Sequence, residues 1–116
     1  MARRDIKTPA DLLAHELLQE KASALGRLGR ALEAALAALA EFDAGDQRDT
    51  AEGRAVRAAL VSEASVALWH FVVQREACGL RDMRYVLRDY RVPGEVAARM
   101  GALPEPQQQR PRKRKF

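Results

Sequence analysis

The longest stretch of this chain without a proline or a turn cluster decides what it can become. Thr8-Pro9-Ala10-Asp11 has the form of a helix start: a hydroxyl to cap, a proline where no donor is wasted, and an acid near the positive end of the helix dipole. Nothing after it stops the helix before the polar segment AGDQRDTAEG, residues 44–53. Between the two, Leu18, Leu25, Leu28, Leu32, Ala35, Leu39 and Phe42 recur at mostly alternating three- and four-residue steps, with one beat missing at Lys21. That is the seam of a packed or coiled helix, roughly 50 Å long at about 1.5 Å per residue. Gly26 and Gly29 each cost about 1 kcal/mol relative to Ala in a helix interior, and mark a bend or a place where another helix approaches closely.

A second helix is expected over residues 51–78, capped by Thr50 or Asp49. Its apolar residues Val56, Leu60, Ala64, Ala67, Leu68, Phe71 and Val72 form a stripe broad enough for burial between several helices. Gly79 then takes the left-handed stop position, and Leu80 folds back onto the last turn. Asp82 caps a short third helix ending near Asp89, and Pro93 opens a fourth that ends at Gly101. Ala makes up roughly a fifth of the chain and aromatics only 5%, a balance that favours closely packed helices over sheets. The expected fold is therefore all-α: two long antiparallel helices plus two short C-terminal helices. Two long helices cannot bury this much Leu and Ala between themselves, so the expected core is a dimeric four-helix bundle built from paired hairpins.

Charge divides the 116 residues into two parts. The net +4 resides in residues 104–116, PEPQQQRPRKRKF, where Arg110, Arg112, Lys113, Arg114 and Lys115 face only Glu105. Residues 1–103 balance at 15 charges of each sign and read as a single helical domain. The last 13 residues read as a disordered basic tail, suited to weak, salt-sensitive contact with nucleic acid. A single cysteine excludes an internal disulfide framework and fits a reducing compartment. The start, MARRDIKTPADLL, lacks the apolar stretch of a secretory signal. The longest uncharged run, residues 64–74, falls short of the roughly 20 residues that span a bilayer. These features point to a soluble cytoplasmic protein without a transmembrane segment.

The stretch LWHFVVQREACGLRD, residues 68–82, gathers Trp69, His70 and Cys78, and raises the question of a reactive site. Cys78 falls in the last turn of its helix, where the dipole opposes a thiolate, and so reads as a small residue packed beneath the corner. His15 and His70 lack the repeated Glu-x-x-His pattern of a helical metal site. Trp69 reads as a core or interface anchor. No metal, cofactor or catalytic residue is expected, and the chain reads as non-enzymatic. Arg75, Glu76 and Asp82 around Gly79, together with Arg81, are placed to pair across the corner and fix its geometry. Beyond it, Arg81, Arg84, Tyr85, Arg88, Tyr90, Arg91 and Arg99 form a candidate interaction surface of arginines with aromatic neighbours. The same segment, RYVLRDYRVPGEVAARMG, has the outline of a helix-turn-helix with Val86, Tyr90, Val92, Ala97 and Met100 as its core. Arg91 stands where a turn would favour Gly, and Glu95 would face phosphates early in the reading helix.

Two segments, ASALGRLGRALEAALAAL and ALWHFVVQREACGLRDMRYVLRDYRVPGEVAARMG, resemble a family of small α-helical bacterial proteins of unknown function. The resemblance covers about residues 13–101 and leaves out the basic tail. It implies a compact helical domain and brings no activity, cofactor or site residue with it. The reading that follows is a homodimeric protein-interaction module serving an unidentified protein partner. The alternative is a nucleic-acid-associated protein using the helix-turn-helix-like segment and the tail.

Overall fold

The computed structural model describes residues 8–101. Those residues form four helices, α1 (Pro9–Ala44), α2 (Ala51–Ala77), α3 (Met83–Asp89) and α4 (Gly94–Gly101), and no strand. The Thr8 hydroxyl accepts the Asp11 N–H at 3.0 Å, as the start signal demands. From there α1 runs unbroken through both glycines. At Gly29 the reason is close approach: a Cβ there would lie 3.1 Å from the Tyr90 hydroxyl and 3.2 Å from the Phe71 ring.

The connection to α2 is built round Thr50. Its hydroxyl donates to the Gln47 carbonyl at 3.0 Å and accepts the Gly53 N–H at 2.8 Å. Gly53 has no room for a side chain, since a Cβ would sit 1.5 Å from the Gln47 carbonyl oxygen. Two helices then stop in the same way. At the end of α2, Gly79 adopts φ 87°, its N–H bonds the Glu76 carbonyl at 3.0 Å, and the Leu80 N–H bonds the Arg75 carbonyl at 2.8 Å. At the end of α3, Arg91 adopts φ 54° and the pattern repeats, Arg91 to Arg88 at 3.2 Å and Val92 to Leu87 at 3.0 Å. Both are Schellman stops, and the second holds a non-glycine residue in the left-handed region.

α2 is the hub, packed against α1 along one side and α4 along another. The core comprises Leu32 and Leu39 of α1, Ala64, Leu68 and Phe71 of α2, Val86 of α3 and Val96 of α4. Removing Leu32 and Leu68 fully from water stabilises the fold by about 1.5–3 kcal/mol each. Ser65, the one buried polar residue among the described residues, donates its hydroxyl towards the Val61 carbonyl at 2.8 Å and the Val96 carbonyl at 3.1 Å. This ties α2 to the start of α4 without an unsatisfied group.

Several expectations need correction. The α1 seam is half-buried or buried only from Leu25 onwards, and Leu18, expected within it, is 67% exposed. Val56 likewise lies outside the α2 contact. Asp82 precedes α3 in the capping position but makes no side-chain cap bond. The Cα radius of gyration is 18.9 Å, against about 13 Å for a compact domain of 100 residues, because α1 reaches beyond the helices that pack on it. By length and composition α2 is sufficient to cross a bilayer, with a mean hydropathy of 1.4 over its most apolar window and 22% of that window buried. The core helix of a soluble protein meets the same test of length and composition.

Candidate interaction surface

Residues 9–23, the first four turns of α1, form an arm whose residues are all exposed. Leu12, Leu13, Leu17 and Leu18 are 46%, 58%, 55% and 67% accessible. At about 100° per residue, Ala10, Leu13, Ala14, Leu17 and Leu18 fall on the same side of the helix as Leu25, Leu28, Leu32 and Leu39. The arm therefore continues the face that is buried further along, with nothing packed against it among the described residues. An apolar stripe of this kind, broken once at Lys21, on a charged helix is the pattern of a helix awaiting a partner.

Six residues of the expected Arg/Tyr surface, Arg81, Arg84, Tyr85, Arg88, Arg91 and Arg99, are exposed. Tyr90, expected both on that surface and in the helix-turn-helix core, is half-buried, with its ring edge-on to Phe71 at 5.2 Å. Burial raises its phenol pKa above the ordinary value, and the nearby Glu33 carboxylate adds to the rise. The expected pairing across the corner is also replaced by another arrangement. Arg75 lies over two rings, 5.9 Å from the centre of Phe71 and 5.7 Å from that of Tyr85, which joins α2 to α3 through cation–π contact. Asp82 instead lies 3.9 Å from Arg84, with both side chains well exposed, so the pair adds little. Gly79 holds the corner through its backbone, while Glu76 and Arg81 are exposed and make no ion pair among the described residues.

One charged cluster carries real structure and was not anticipated. Arg57 forks onto Asp43, with Nε to Oδ1 at 2.7 Å and Nη2 to Oδ2 at 3.0 Å, and also donates from Nη2 to Glu95. Arg48 adds a longer contact to Asp43 at 3.6 Å. The hydrogen bond from Arg57 holds the Asp43 carboxyl below the usual carboxylate range, and the two carboxylates raise the guanidinium further still. The cluster clamps the end of α1, the start of α2 and the start of α4. The clue in the sequence was Arg57 itself, a charge on the same face of α2 as Gly53, Leu60 and Ala64. Its partners lie 14 and 38 residues away, beyond any spacing rule. Glu95, suspected of facing phosphates, is thus engaged with α2.

The described surface carries shallow clefts. One of about 380 Å³ runs between α2 and α4 past Arg54, Arg57, Glu95 and Arg99. Another of about 270 Å³ lies between Glu33 of α1 and Asp89, Tyr90 and Arg91. Neither brings a nucleophile to a base. His15 is exposed on the arm and His70 is exposed beside Trp69, with ring centres 5.3 Å apart. Within this stretch Leu68 and Phe71 of the expected α2 stripe are buried, while His70 is exposed. Cys78 is half-buried, 4.0 Å from the Gln74 amide nitrogen. No group of three His, Cys, Asp or Glu residues is placed to hold a metal ion among the described residues. The tail residues Arg110, Arg112, Lys113, Arg114 and Lys115 lie outside the described residues.

The model of a family of unknown function, DUF6665, matches residues 1–108. The chain belongs to this family. The match extends beyond both segments that carry the resemblance and covers all four helices of this DUF6665 chain. No curated protein and no solved structure matches it. Family membership assigns the chain no chemistry.

Proposed function

We propose that this DUF6665 chain is a non-enzymatic helical interaction module that works as a homodimer and offers the arginines of its C-terminal helices to a further protein. One observation carries the reading: the apolar face of α1 continues for four turns past its last contact among the described residues, with three leucines on it, Leu13, Leu17 and Leu18, more than half exposed. Leaving such a stripe in water forfeits about 25 cal/mol for every Å² that a partner would cover. A second copy is the simplest cover, because symmetric pairs are the commonest soluble oligomers and the stripe is present on each. The rest of the chain is consistent with a scaffold, since its ion cluster and its rings join helix to helix. Light scattering of the full-length protein over a hundredfold concentration range tests the reading. A mass of two chains that falls towards one on dilution supports it, and one chain at every concentration rejects it.

Association with nucleic acid is the second reading, favoured by a specific observation: Arg81, Arg88, Arg91 and Arg99 are exposed and make no ion pair among the described residues. Duplex DNA binding that weakens on Arg88→Ala and Arg99→Ala, and steeply with salt, would support it. Binding indifferent to both substitutions would place any such contact elsewhere in the chain.

A further inference from the structure

We infer that two copies join through an antiparallel pair of α1 arms, with Leu13 of each facing the partner's Leu18 and Ala14 facing the partner's Leu17. The inference rests on the homodimer reading above and specifies its interface.

Exposed apolar surface is concentrated at one end of the molecule. Gly29 stands against Phe71, so the end of α2, six residues on, comes level with about residue 23 of α1. The Gly79 corner and the start of α3 therefore lie at the base of the arm. Of the nine exposed large apolar residues among the described residues, Leu12, Leu13, Leu17, Leu18, Leu80 and Tyr85 belong to the arm or to this corner.

Direction and register follow from the residues on the stripe. Lys21 lies on the apolar face, in the beat missing from the seam. A parallel pair would set Lys21 against the partner's Lys21, two like charges on the contact line. The antiparallel register sets it instead beside the partner's Ala10 and Asp11. The same register places small Ala14 opposite the partner's Leu17, so each layer can close without a void.

Area shows where the contact must continue. The arm's 15 residues span about 22 Å, and a strip one helix wide over that length covers on the order of 200 Å². A standard interface takes about 800 Å² from each partner. Antiparallel pairing carries each arm tip to the base of the partner's arm, where Leu80, Tyr85, Arg81 and Arg84 are exposed. The charges there are complementary. Residues 9–23 hold Asp11, Glu16 and Glu20 against Lys21, while residues 80–91 hold four arginines against Asp82 and Asp89. The acidic arm of each copy thus docks on the basic corner of the other, closing two equivalent contacts about one two-fold axis.

The test uses full-length protein with Cys78→Ser throughout and spin labels at Glu16→Cys or Arg30→Cys, both exposed positions. In the inferred register two labels at position 16 are nearly level and lie roughly 20 Å apart across the helix pair, while labels at position 30 are offset by about 44 Å along it. Light scattering on the same samples reads the mass. Asp11→Lys and Lys21→Asp should each weaken the dimer by about 2- to 5-fold, and the two together should recover most of the loss. A two-chain mass with a short distance at 16, a long one at 30 and charge-swap rescue supports the inference. A two-chain mass with a long distance at 16, or with equal distances at both positions, overturns the arm pairing and leaves the dimer standing. One chain at every concentration overturns both. If that monomer also sediments with phosphatidylcholine vesicles, the stripe belongs to lipid.

Discussion

Two stretches of α1 share one helix and one apolar face, yet differ in what lies opposite. From Leu25 to Phe42 the face meets α2, and Leu32 and Leu39 are almost fully buried. From Pro9 to Ser23 the same face is bare. The comparison teaches that hydrophobic period marks which side of a helix avoids water and is silent on what covers it. A leucine in the arm and a leucine in the body are indistinguishable by spacing. They are distinguished by the reach of α2, which ends at Ala77 because Gly79 turns the chain.

The largest expected effect separates the two stretches by stability. Leu68→Ala and Leu32→Ala each remove a fully buried side chain and should lower unfolding free energy by about 2–5 kcal/mol in urea titrations. Leu17→Ala, measured at the lowest workable concentration, should change it by less than about 0.5 kcal/mol. Equal losses at Leu17 and Leu32 would break the comparison, since the arm would then be part of the monomer's core.

Next come the glycines, which sharpen it. Gly53→Ala drives a methyl into the Gln47 carbonyl, and the connection cannot accept it without reopening, a loss of about 2–3 kcal/mol. Gly26→Ala meets only the end of the Arg30 side chain, at 3.4 Å, and should stabilise α1 by up to about 1 kcal/mol. Thermal melts of the two variants should therefore shift in opposite directions. A loss at Gly26 would mean that the helix needs a break between arm and body.

The helices were legible in the sequence because their ends are written in local chemistry. Thr8-Pro9, Thr50, Gly79 and Pro93 act within a few residues of themselves, and all four boundaries fall within about one residue of expectation. The left-handed Arg91 was legible for the same reason, as a turn position lacking its glycine. Long-range contacts were not. Nothing near Asp43 or Glu95 announces Arg57, and nothing near Arg75 announces that it would lie between Phe71 and Tyr85 rather than pair with an acid. Tyr90 was legible both as a surface aromatic flanked by arginines and as a core residue of the helix-turn-helix outline, and its close approach to Gly29, sixty-one residues earlier, lies beyond any local signal.

The Asp43–Arg57 clamp gives the body a dependence on pH. Asp43 has a folded pKa below its ordinary 3.8, chiefly through the Arg57 hydrogen bond. Its contribution is therefore complete above about pH 3.8, and is lost as pH falls below that value through the folded one. Unfolding free energy followed from pH 6 to pH 2 should drop across that window, and Asp43→Asn should flatten that part of the curve. An unchanged curve in Asp43→Asn would show that the clamp does not couple to folding.

The smallest effect belongs to the arm alone. Thr8→Ala removes the hydroxyl that accepts the Asp11 N–H, a loss of about 1 kcal/mol in helix capping. In the arm that loss is local, because no tertiary contact holds residues 9–23 among the described residues. Amide exchange should accelerate over the first turns of α1 while residues 32–39 and 64–71 keep their protection and the melting temperature stays fixed. Slowing of arm exchange with rising protein concentration would show that the helix is stabilised by its partner. If Thr8→Ala instead lowered protection across the core, arm and body would form one cooperative unit, and the contrast between them would be one of burial without independence.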